Sequence, residues 1–176
     1  AIGIMLPNIP QFLAITYGTF FCGHVVTPMS VLATPREFAH IVRSSALDML
    51  FVAAPFVPVV QQALDDIERP PEIVVIGEAS DTLTRYDDFI DIERDITLGP
   101  IHPDQHLLTL YTSGTTGASK GVMISDRNMR AQIGMIGKTF KPAAGTRILC
   151  VLPLFHAYAL NALISMSVRY RATIVL

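Results

Sequence analysis

Lysine is scarce in this sequence. Lys120, Lys138 and Lys141 are all it has, the arginines are scattered, and 13 basic residues face 15 acidic ones. Without a basic stripe or patch, binding to nucleic acid is excluded as an expected role. Cysteine is nearly absent as well: Cys22 and Cys150 stand far apart and share no ligand spacing. That rules out a disulfide framework or a zinc knuckle and fits a reducing, cytoplasmic compartment. Each cysteine is expected to be a small buried hydrophobe. Long clean apolar runs are also missing. The stretch from Ile9 to Ala33 is interrupted by Pro10, Gln11, Gly18, Gly23, His24 and Pro28, and that from Leu152 to Val168 by His156 and Asn161. A membrane-spanning helix needs about 20 uninterrupted apolar residues, so neither stretch qualifies and both read as buried core. The first residues lack the basic start of a signal peptide.

What remains is a chain made to bury itself. Hydrophobic residues make up 51% of the 176 positions and mean hydropathy is +0.44, enough for one substantial core. Short β-rich runs alternate with helix-period segments. Strands are expected at Ile2–Leu6, Val25–Met29, Met49–Ala53, Ile73–Ile76, Leu107–Tyr111, Val122–Ile124, Ile148–Leu152 and Thr173–Leu176. Asn8 and Gln11 offer a capping box for a helix running toward Phe20, and Thr34-Pro35-Arg36-Glu37 offers a stronger one. Phe38, Ile41, Val42 and Ser45 then share one face. Val57, Val60, Leu64 and Ile67 repeat the pattern, as do Met129, Ile133, Ile136 and Phe140. A further apolar helix is expected beyond Pro153. Strand–helix–strand repeats of this kind predict an α/β fold, parallel-sheet layers with helices on both faces.

Three regions are expected: a first βαβ half over residues 1–78, an acidic irregular connection over 79–105, and a second half over 106–176. The first residue abuts a predicted strand and the last falls inside one, so a piece of a longer polypeptide is expected. Its exposed core faces would favour self-association.

The chemically informative segment is Tyr111-Thr112-Ser113-Gly114-Thr115-Thr116-Gly117-Ala118-Ser119-Lys120-Gly121. Glycines let backbone amides approach an anion closely, the hydroxyls add donors, and Lys120 adds a positive charge. The pattern departs from the Walker loop, in which glycine directly precedes lysine and Ser or Thr follows. Here Ala118 and Ser119 intervene and a strand follows, so the expected geometry is a loop between two strands. An ordinary Ser/Thr/Gly turn is the alternative on composition alone. His102 and His106 are four residues apart, but Pro100 and Pro103 argue against the helix that would align them as metal ligands.

The eleven residues from Tyr111 to Gly121 closely resemble the signature phosphate loop of the adenylate-forming superfamily, the AMP-dependent ligases that include acyl-CoA synthetases. Leu6-Pro7-Asn8-Ile9-Pro10 and Thr34-Pro35-Arg36-Glu37-Phe38 are similar to two earlier segments of that family. Leu152-Pro153-Leu154-Phe155-His156-Ala157-Tyr158 resembles its aromatic-histidine motif in the form common among fatty-acyl and aryl-CoA ligases.

The resemblance implies that Thr112, Ser113, Gly114, Thr115, Thr116, Gly117 and Lys120 hold the phosphates of ATP, with Thr115 also contacting Mg2+. It implies that His156 acts beside the acyl carboxylate, with Tyr158 against the same substrate. The implied reaction joins a carboxylate to the α-phosphate of ATP, releasing pyrophosphate, and then transfers the acyl group to the thiol of coenzyme A. The family's Tyr-Gly-x-Thr-Glu segment and its C-terminal lysine domain have no counterpart in these residues, so the isolated chain is expected to be inactive. A nucleotide- or phosphate-binding module without catalysis is the other reading that the loop allows.

Overall fold

The computed structural model describes residues 1–78, 81–90, 98–112 and 118–176. At its centre is β1 (Ile2–Met5), flanked in parallel by β2 (Val26–Pro28) and β3 (Met49–Ala53). Outward from β3 lie β4 (Glu72–Ile76) and β5 (Thr84–Arg85); outward from β2 lie β6 (His106–Thr112) and β7 (Lys120–Ser125). The 7-stranded sheet thus runs β5-β4-β3-β1-β2-β6-β7. Residues from both expected halves share it.

Strand alternation sends side chains to two cores. Ile4, Phe51 and Val74 are neighbours across the sheet and face one way; Met5, Val52 and Val75 face the other. The first face packs against α1 (Pro10–Phe21), α5 (Asp126–Phe140) and the π-helical segment Tyr158–Ile164 that leads into α6 (Ser165–Tyr170), through Phe12, Ile15, Met129 and Ile164. The second packs against α2 (Pro35–Ser45) and α3 (Val57–Leu64) through Phe38, Ile41, Val42 and Val60. Helices therefore cover both faces, as the α/β reading expected. Each of these large side chains stabilises the fold by about 1.5–3 kcal/mol when fully buried.

Local sequence explains the helix starts. Thr34 caps α2 by accepting from the Glu37 amide at 3.3 Å, and the Glu37 carboxylate accepts from the Thr34 amide at 2.9 Å. Pro35 occupies the first helical position. Just past the end of α1 stands Gly23, whose φ of +72° favours glycine and whose missing Cβ leaves room for the Gln105 side chain. The Gln105 amide donates to Gly23 O at 2.7 Å, tying the start of β6 to the end of α1.

Five expectations are corrected or refined. Asn8 does not cap α1; the capping position falls on Ile9, with no side-chain bond, because the Asn8 carboxamide is committed elsewhere. Strand β7 is antiparallel to β6, since the chain between Thr112 and Lys120 is too short for a parallel crossover and can only reverse. The 79–105 stretch is more than an irregular connection. It contributes β5 and α4 (Tyr86–Ile90), anchored where Tyr86 and Phe89 pack edge-on to Phe51. The segment after Pro153 forms a turn and then wide π-helical turns over Tyr158–Ile164 before α6 begins. Cys22 is exposed, because it follows the last buried turn of α1, whereas Cys150 is buried as expected.

A separate pair, β8 (Arg147–Leu149) and β9 (Thr173–Val175), runs parallel beside α5 and α6. No described helix is long and apolar enough to cross a membrane.

Candidate active site

The two described ends of the glycine- and threonine-rich segment meet directly. Thr112 closes β6, Lys120 opens β7, and the two are cross-strand partners at the mouth of the hairpin. Both are exposed. Residues 113–117, which include the predicted Ser113, Gly114, Thr115, Thr116 and Gly117, lie outside the described residues. What the structure places is the two ends of the segment, the base formed by Thr112 and Lys120.

Helix α2 grips that base. The Tyr111 hydroxyl meets Ser44 Oγ at 2.5 Å and Ser45 Oγ at 2.8 Å. His40 Nε2 lies 2.8 Å from Ser119 O; a carbonyl can only accept, so Nε2 carries the proton. The His40 ring stands edge-on to Tyr111 at 6.2 Å. Gly121 makes this possible: a Cβ there would come within 2.9 Å of Thr109 Cγ2 and 3.2 Å of Tyr111 Cζ. The glycine after the lysine thus lets the Tyr111 ring lie across β7. Both ends of the loop are held while Lys120 makes no ion pair among the described residues.

Beside the base opens a cleft of about 800 Å³, within the range of small-molecule sites. Thr112, Ser119, His156 and Asn161 line it, together with Glu37 and Met29. His156 is exposed to this cleft and is not a buried core histidine. Its ring lies 4.5 Å from that of Phe155, and a turn closed by His156 N donating to Pro153 O at 3.0 Å carries it. Glu37 lines the same cleft. Hydrogen bonds from the Thr34 backbone and hydroxyl hold its carboxyl below the ordinary range, so it remains an anion there.

Asn161 is a residue that sequence reasoning passed over as a functional group. It is 3% exposed, and its Oδ1 has no hydrogen-bond partner among the described residues. An unpartnered buried acceptor on a cavity wall costs about 1–3 kcal/mol unless something polar satisfies it. Its signal was a lone amide between Leu160 and Ala162, in an otherwise apolar run.

Tyr158 does not join this group. It lines a second cavity of about 460 Å³ with Ile136, Phe140 and Met166. Among the described residues no three His, Cys, Asp or Glu side chains could hold a metal. His102 and His106 are otherwise engaged: His102 Nδ1 accepts from the Asp104 amide at 3.2 Å, and His106 Nε2 lies 3.0 Å from Thr109 Oγ1.

Comparison with known proteins bears on the family and the fold. The model of the family described as "AMP-binding enzyme" matches residues 1–176. A 4-coumarate–CoA ligase of Solanum tuberosum is 28% identical over 98% of this chain and 32% of its own length. A sulfoacetate–CoA ligase of Cupriavidus necator is 29% identical over 88% of this chain and 30% of its own. The chain therefore spans about a third of these relatives. The crystal structure of the anthranilate CoA ligase AuaEII, solved with anthranoyl-AMP, superposes with a TM-score of 0.93 at 18% identity, covering 99% of this chain and 35% of that one. At that identity the likeness shows the fold.

Proposed function

This chain belongs to the family of AMP-binding enzymes, and from that premise we propose that it carries the phosphate loop and part of the acid cleft of an ATP-dependent carboxylate–CoA ligase. The observation that carries the reading is the hairpin mouth. Thr112 and Lys120 face each other there, and Thr112 and Ser119 open onto the cleft that also holds His156 and Asn161.

Joining a carboxylate to ATP brings two anions together, so the protein's task is positioning and charge neutralisation. Lys120 supplies a cation that no described carboxylate neutralises. Thr112, Ser113, Thr115 and Thr116 supply hydroxyls, and Gly114 and Gly117 supply unobstructed amides, toward the β- and γ-phosphates. Thr115 would also help to hold Mg2+, which would offset phosphate charge. His156 donates to the acid from the cleft wall, and Asn161 presents an acceptor, its unpartnered Oδ1, to a donor on the bound ligand. Glu37, an anion lining the cleft, disfavours a second negative group near it and so favours acids with an apolar tail. Phe155 and Met29 extend the apolar wall. A fatty or aryl acid is the substrate we propose, with coenzyme A taking the acyl group. Relatives acting on coumarate and on sulfoacetate show how far acids differ within this similarity.

The test is exchange of labelled pyrophosphate into ATP, with 4-hydroxycinnamate as the acid. A full-length protein containing these 176 residues is expected to exchange only when acid is added, and the isolated chain not to exchange. Nucleotide binding without exchange in the full-length protein would favour a non-catalytic module instead.

A further inference from the structure

Asn8 sits in the turn between β1 and α1, at the C-terminal edge of the central parallel strand, where α/β sheets place their sites. Its side chain is spent entirely on a remote segment. Nδ2 donates to Leu152 O at 2.9 Å and to Cys150 O at 3.3 Å, while Oδ1 accepts from Leu154 N at 2.9 Å. Two carbonyls and one amide N–H admit a single orientation of the carboxamide, so the assignment of its oxygen and nitrogen is fixed by its partners. Residues 150–153 belong to no strand or helix. Their backbone groups therefore depend on such a partner.

That segment leads straight into the site. Leu154 is buried at 1% exposure; Pro153 O then accepts from His156 N, and His156 O accepts from Leu160 N at 3.0 Å, which begins the π-helical turns bearing Asn161. Asn8 itself does not line the cleft, whereas Pro153, Phe155 and His156 do. We propose that Asn8 is a positioning residue: by holding residues 150–154 it sets where His156 and Asn161 stand against the acid. The proposal rests on the reading of the cleft as an acid site, but the clamp can be tested without it. Aspartate keeps the acceptor for Leu154 N and loses both donors; alanine loses all three bonds.

The experiment compares Asn8→Ala, Asn8→Asp and, as a control for general destabilisation, Val60→Ala, a fully buried residue of α3 in the core on the other face of the sheet. Three readouts on the whole chain are hydrogen exchange at the Leu154 amide, the His156 ring resonances, and affinities for 4-hydroxycinnamate and for Mg-pyrophosphate. Asn8→Ala is expected to speed Leu154 exchange about tenfold, shift the His156 ring and weaken 4-hydroxycinnamate about five- to tenfold, the loss of one or two hydrogen bonds. Mg-pyrophosphate affinity should hold. Asn8→Asp should retain part of the Leu154 protection, and Val60→Ala should leave the acid affinity unchanged. Equal weakening of both ligands, the same acid loss in Val60→Ala, or unaltered Leu154 exchange in Asn8→Ala would overturn the proposal. If the unmutated chain binds Mg-pyrophosphate but no acid, the acid-site reading fails. Leu154 exchange and the His156 resonances then decide the clamp by themselves.

Discussion

Replacing Tyr111 by phenylalanine removes one oxygen and tests whether α2 holds the loop. The hydroxyl makes two contacts, with Ser44 Oγ at 2.5 Å and Ser45 Oγ at 2.8 Å. A hydrogen bond of this kind is worth about 0.5–1.5 kcal/mol net. Ser44 is exposed and still donates to His40 O at 2.8 Å after the change, so its loss is the smaller. The edge-on packing of His40 survives, because phenylalanine keeps the ring. A total near 1 kcal/mol follows. Urea unfolding should show that loss with an unchanged slope. If the tie also orients the loop, Mg-ATP affinity measured by calorimetry should fall about fivefold, the equivalent of the same energy. Wild-type stability and affinity would refute the clamp outright. Lower stability with unchanged affinity would refute its role in orienting the loop.

Gly121→Ala forces a Cβ to within 2.9 Å of Thr109 Cγ2 and 3.2 Å of the Tyr111 ring, and overpacking of this order costs about 1–3 kcal/mol; urea unfolding checks it. Thr34→Ala removes the cap of α2 and is expected to cost about 1 kcal/mol by the same assay. The cap also carries a pH signature. The Glu37 carboxyl is lowered in the folded chain from an ordinary 4.5, so its contribution is complete above that value and lost as pH falls through the lower folded one. A stability titration between neutral and acid pH should therefore flatten in Thr34→Ala relative to wild type. Met123 and Val122 on edge strand β7, with Leu149 and Val151 near β8, are exposed, so light scattering of the isolated chain should show concentration-dependent association; a monodisperse monomer would contradict that.

Much of the fold could be read from local pattern, since what made it readable was itself local. Apolar runs marked β1, β3 and β4, and Thr34-Pro35-Arg36-Glu37 marked the start of α2 through a box completed within one turn. The misses share a cause. Asn8 has the residue type and spacing of a cap, but its partners lie 142 to 146 positions away, where no window reaches. Strand β7 looks like any short apolar strand, and only the shortness of the chain between it and β6 told its direction. Tyr86 and Phe89 sit among acidic residues, so their packing on Phe51 was masked by composition.

The candidate site was legible chiefly at the two ends of its loop. The hydroxyl and glycine content of residues 112–121 pointed to phosphate, and Thr112 with Lys120 stands where a loop between strands would put them. His40, Ser44 and Ser45 gave no signal, because they act through an approach of α2 to β6 and β7 that tertiary packing creates. Tyr158 follows His156 by two residues, yet the helical turn beginning there carries it to another cavity.

The central claim is that residues 112–120 hold the phosphate tail of a nucleotide. Amide resonances of the chain, followed during titration with Mg-ATP, test it most directly. Shifts confined to Thr112–Gly121 and the adjoining cleft, abolished in Lys120→Met, are the expected result. An unresponsive loop, or shifts gathered instead around Tyr17, Met129 and Arg130 in the cavity between α1 and α5, would contradict it.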